Sequence, residues 1–122
     1  MDETEPKGKV MTDKSWVDRQ FRRDERLGIS VPNLEKYWED LTAEEQEAVL
    51  ERWELERGEI PERIVELEGQ IRQLQERMGQ EEDFAAVCRI NDDIAELASR
   101  INDLNIWFRI RQELDAPSKG HA

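Results

Sequence analysis

One cysteine, one histidine and no long apolar run leave this 122-residue chain with little of the usual equipment of chemical sites. Cys88 alone cannot form an intramolecular disulfide, which favours a reducing compartment. With His121 as the lone imidazole there is no Cys/His set for zinc, no Glu-x-x-His pair for a di-iron centre and no Ser–His or Cys–His couple. A glycine-rich phosphate loop is missing too. No apolar stretch approaches the ~20 residues of a membrane span, and no apolar leader opens the chain. The expectation is therefore a cytoplasmic protein without a membrane partner or a cofactor.

Base is also scarce. Lys and Arg number 18 against 30 Asp and Glu, for a net charge of −12. Phosphate backbones are held by cations that displace counterions, so this balance disfavours nucleic acid and favours a protein partner with a basic surface. The local cluster Arg19, Arg22, Arg23, Arg26 is interrupted by Asp18, Asp24 and Glu25, and reads as the solvated face of a short helix.

What the chain does have is period. Leu50, Trp53, Arg57, Ile60, Ile64, Leu67, Ile71, Leu74 and Met78 keep a three-four spacing, and Val87, Ile90, Ile94, Leu97, Ile101, Leu104, Phe108 and Arg111 repeat it. Such spacing places apolar residues on one stripe of a helix. Only Gly79 to Asp83 separate the runs, too few residues for anything but an antiparallel return. The fold class expected is all-α: a long antiparallel, coiled-coil-like helical hairpin over 42–115, turning near 79–82, with two short N-terminal helices over 13–41 packed at its open end. Residues 1–12 and 116–122 read as flexible tails.

Local signals refine this. Thr42 with Glu45 forms a capping box at the start of the first long helix. Gly28 reads as the end of a helix over Asp13–Leu27, and Asn33 as the cap of a second helix carrying Leu34, Tyr37, Trp38 and Leu41. Pro32 makes 29–32 an extended connection. Gly58-Glu59-Ile60-Pro61 would end one helix and begin another. The seam keeps its phase across it, so a kinked or loosened single axis is expected. The second long helix is expected over 82 to 113 or 114.

Two sets of residues stand out as candidate sites. At the open end Trp38, Trp53, Trp107 and Phe108, joined by Trp16, Phe21 and Tyr37, form an expected aromatic base; the plainest reading is a core, the sharper one a groove. At the turn, Glu81, Glu82 and Asp83 would complement the dipole of the second helix or contact a partner. An antiparallel hairpin ending in those three acids resembles, in general architecture, bacterial transcription factors that insert an acidic coiled-coil tip into the secondary channel of RNA polymerase. That resemblance covers shape and three residues, and implies tip acids that help hold a magnesium ion or touch the catalytic centre.

The function expected is a non-enzymatic interaction or adaptor module presenting an acidic hairpin. The alternatives are the polymerase regulator and a magnesium-dependent all-α hydrolase using pairs such as Glu44 with Glu47, Glu51 with Glu54, or Asp93 with Glu96. Asn91, Ala98 and Asn105, seven residues apart, would let a second hairpin approach, so a homodimer through the hairpin is a further expectation. Cys88 is expected to be a small, half-buried residue beside the seam.

Overall fold

The structure, a computed structural model, describes residues 13–110. The tails expected at 1–12 and 116–122, the helix end near 113–114, Arg111 and His121 lie outside the described residues. Among the described residues, four α-helices, a two-stranded sheet and one 3-10 turn follow in the order α1 (Lys14–Arg19), β1 (Phe21–Asp24), β2 (Ile29–Pro32), the 3-10 turn (Trp38–Asp40), α2 (Ala43–Arg57), α3 (Ile60–Gln80) and α4 (Phe84–Phe108).

The chain is mostly helical but not all-α. The helix expected over Asp13–Leu27 stops at Arg19, and Phe21–Asp24 pairs antiparallel with Ile29–Pro32, Phe21 opposite Pro32 and Asp24 opposite Ile29. Gln20 makes the break. Its buried side chain donates to the Trp16 carbonyl and the Glu35 carboxylate and accepts the Glu35 N–H. Gly28 closes a strand turn instead of a helix. At φ +79° it occupies the left-handed region, and its N–H bonds the Asp24 carbonyl at 2.8 Å. Ile29 and Val31, alternating with half-buried Ser30 and Pro32, are wholly buried, the period of a strand.

The second expected short helix shrinks to Trp38–Asp40, because the Gln20–Glu35 clamp and the bond from Asn33 N–H to the Gln20 carbonyl hold 33–35 against the end of α1. The N-terminal region is therefore one short helix, a β-hairpin and a 3-10 turn.

The capping box is present as read: the Thr42 hydroxyl accepts the Glu45 N–H at 3.1 Å, and the Glu45 carboxylate accepts the Thr42 N–H at 2.9 Å. At Gly58 and Glu59 the backbone stays right-handed helical (φ −65°, ψ −16° and φ −87°, ψ −10°), so α2 passes into α3 through a tightened turn and not a reversal. Pro61, near the start of α3, has no N–H to contribute. Trp53, Ile60 and Leu67, seven residues apart across this junction, are all fully buried, so the apolar stripe keeps its phase.

The turn occupies Glu81–Asp83, slightly later than expected, and α4 begins at Phe84. Joined by three residues and sharing the most extensive contact in the molecule, α3 and α4 lie antiparallel. In α4 the series Ile90, Leu97, Leu104 is buried, while Val87, Ile94, Ile101 and Phe108 are half-buried. No helix among the described residues is long and apolar enough to cross a membrane.

Candidate functional site

The aromatic base is centred on Trp53, with Trp38, Trp107 and Phe108 half-buried around it. Trp53 is wholly buried, nearly parallel to Phe21 at 6.5 Å between centroids and edge-on to Trp107 at 5.8 Å. Among the described residues its indole N–H has no hydrogen-bond partner, and neither does one buried carboxylate oxygen of Glu45. Phe108 lies under the Arg57 guanidinium at 4.1 Å, and Arg57 also donates to the Phe108 carbonyl at 2.6 Å and pairs with Glu54 at 3.2 Å. A cation thus sits on the last carbonyls of α4, where the helix dipole favours it. Trp38 is half-buried against the core, and its carbonyl accepts from Gln46. Tyr37, expected in this core, is 80% exposed, because the segment that carries it is extended and not helical.

Charged struts lock the N-terminal unit to the long helices. Arg26, at the tip of the β-hairpin, donates to Asp103 (2.7 Å), Ser99 (2.8 Å) and Glu96 (3.0 Å) on α4. The bonds to Asp103 and then Glu96 hold its pKa above the ordinary value. Arg100, then Arg26, hold the Glu96 carboxyl below its own. From α3, Arg63 donates to the Leu27 carbonyl at 2.9 Å. Arg52 of α2 reaches Asp18 of α1 at 2.6 Å, pairs with Glu56, and stands over the Phe21 ring at 5.1 Å. Hydrogen bonding from Arg52 is the main reason the Asp18 carboxyl is pulled below its usual range.

The basic cluster is divided among these partners. Arg19 pairs with Glu35, Arg22 with Asp24, and Arg26 with α4, so three of its four members already face carboxylates. It does not lie on one helix face, as expected from the sequence, because β1 intervenes.

At the tip, Asp83 caps α4 by accepting the Ala86 N–H at 3.2 Å, and Glu81 accepts the Asp83 N–H at 3.1 Å. Two of the three acids are thus turned onto backbone, while Glu82 stands exposed. Next to them Phe84, which sequence reasoning left out of its site, is 78% exposed. It had no period to betray it, since it falls before the seam begins. Cys88 is exposed, one turn further on, and not half-buried. It follows Val87, and a step of one residue on a two-helix seam leads straight out to solvent.

The acidic pairs do not converge. Among the described residues no group of three or more His, Cys, Asp or Glu side chains is placed to hold a metal ion. Among the surface depressions of the described residues, two border the N-terminal unit. A polar cleft between the β-hairpin turn and α3 is lined by Arg23, Glu25, Glu59, Glu62, Arg63 and Glu66. The other is a mainly apolar groove between α1 and α2.

The chain matches no protein-family model, no curated protein and no solved structure.

Proposed function

We propose that the chain is a non-enzymatic protein–protein interaction module whose acidic helical hairpin meets a basic surface on its partner. The observation that carries this reading is the tip: from Met78 to Cys88 there are three acids and no base, and Phe84 stands among them almost fully exposed. An exposed aromatic ring directly after three acids is what a pocket rimmed by Lys and Arg would bury. The Asp83 cap fixes the start of α4, so Phe84 is displayed on ordered backbone and loses little freedom on binding. The acids would steer the encounter and the ring would hold the complex.

A photo-reactive phenylalanine analogue at position 84 tests the proposal by identifying the bound protein, which is then purified. With that partner, Phe84→Ala should weaken binding about tenfold or more, and Glu81→Gln with Glu82→Gln should slow association and flatten its salt dependence. Unchanged affinity in both variants would remove the tip from the reading. A homodimer would instead use the exposed Asn91, Ala98 and Asn105 on α4. Sedimentation across a range of concentrations separates it from a monomer.

A further inference from the structure

Among the described residues, the outer surface of α2 carries an exposed acidic stripe and, beside it, an apolar stripe that the core covers only in part. Glu44, Glu47, Glu51 and Glu54 recur at spacings of three, four and three, all exposed. That spacing aligns them as one acidic ridge along the helix. Beside it lie Ala48 and Leu55, seven residues apart. Leu55 is 72% exposed, although it follows a tryptophan that is wholly buried two positions earlier. Facing them across the groove are Val17 and Lys14 of α1. The Asp18–Arg52 pair at 2.6 Å and the Arg52 contact with Phe21 tie the two walls together, so the groove is a built feature of the base.

We infer that this groove binds an amphipathic helix of a partner protein, with its apolar side centred on the exposed Leu55, beside half-buried Ala48 and the buried edge of Val17, and a row of Lys or Arg along the Glu44–Glu47–Glu51–Glu54 ridge. The inference rests on the interaction-module reading but places a contact far from the tip. Charge complementarity selects the occupant. The ridge presents four carboxylates, of which Glu54 is engaged, pairing with Arg57 of its own helix. A helix is the matching shape because bases three and four residues apart repeat about every 5–6 Å, the same step as the ridge. Lys14, at the opposite wall and paired with Asp18, disfavours bases on that side and so fixes which flank of the ligand helix is cationic.

The probe is a synthetic amphipathic peptide of about 14 residues built from Leu and Lys, labelled for fluorescence anisotropy and titrated with the full chain. A rearranged peptide of identical composition, lacking the apolar stripe, is the control. Binding in the micromolar range is expected, with the rearranged peptide about tenfold weaker. Leu55→Glu is the deciding variant. It adds a negative charge, so attraction by charge alone would tighten the complex, whereas docking in the groove predicts a loss of about tenfold or more. Since Leu55 is exposed, a melting curve matching the parent's is expected, and it keeps the comparison free of misfolding. Glu47→Gln with Glu51→Gln should weaken binding and reduce its salt dependence. Phe84→Ala should leave it unchanged. No binding of the peptide, or equal or tighter binding to Leu55→Glu, overturns the inference. Loss of binding in Phe84→Ala with none in Leu55→Glu also overturns it, while leaving the tip reading intact. A self-association abolished by Leu55→Glu would assign the groove to a second copy and likewise overturn it.

Discussion

The base and the arm of this molecule are built from the same kind of helix, yet the base has a broad interior and the arm only a narrow seam, in which Ile90 is buried. In the base, α2, the start of α3 and the end of α4 are covered by α1 and the β-hairpin, and Leu27, Ile29, Val31, Val49, Trp53, Ile60 and Leu104 are at most 2% exposed. In the arm, α3 and α4 have only each other. Ile71, Leu74, Met78, Val87 and Ile94 stay half-buried. A pair of cylinders can bury one stripe each, and a third layer is needed to close the sides. The difference teaches where stability and recognition separate. Tight packing sits in the base, and the arm holds its shape through a regular seam and a capped turn.

The sharpest way to break this comparison is Trp53→Ala. Removing a wholly buried indole between Phe21 and Trp107 should cost about 3–5 kcal/mol in chemical denaturation. Ile71→Ala, on a half-buried arm position, should cost about 1–2 kcal/mol by the same measurement, since roughly half of the usual transfer and cavity loss applies. Equal losses at the two sites would mean that the arm is as well packed as the base.

Gly28→Ala probes the joint between the two regions. Its Cβ would fall 2.8 Å from Arg63 Nε, and alanine at φ +79° is strained, so about 1–2 kcal/mol should be lost and the Arg63 strut displaced. An undiminished melting temperature would show that the turn relaxes freely.

The smallest mutational effect should come from Arg26→Ala, whose partners are solvent-exposed. It should lower the melting temperature slightly at low salt, and the difference should vanish near 1 M salt, where screening acts over ~3 Å. Acid titration addresses the same struts. The Asp18 and Glu96 carboxyls titrate below their ordinary values in the folded chain. Their contribution is therefore complete above the usual carboxylate range near 4, and is lost as pH falls through the depressed values. Melting curves of the parent should shift down on acidification below about pH 4, and those of a chain carrying Asp18→Asn and Glu96→Gln should shift less.

Much of the arm was legible because a helical seam is a local, repeating signal. Leu67, Leu97 and Leu104 announce their burial by position alone, and Thr42 with Glu45 announces a helix start. The N-terminal unit was not legible in the same way. Phe21 to Asp24 has only one buried apolar residue followed by two arginines, too short a pattern to choose between helix and strand. Gly28 serves equally as a helix end or a strand turn. What decided it was Gln20, whose bonds to Glu35 fifteen residues away no local window contains. The same holds for the candidate surfaces. The tip acids were visible in the sequence, but the exposure of Phe84 and Leu55 depends on which side of each helix its neighbours cover.

By itself, the order of residues determined that two helices with matching stripes would fold back across a short acidic turn, because period and turn length act between near neighbours. Only the tertiary structure decided that a β-hairpin would roof the base, that the arginines would become struts, and that a groove would open beside α2. Each of those depends on groups far apart in the chain meeting at distances of about 3 Å, where hydrogen bonds and burial outweigh local preference.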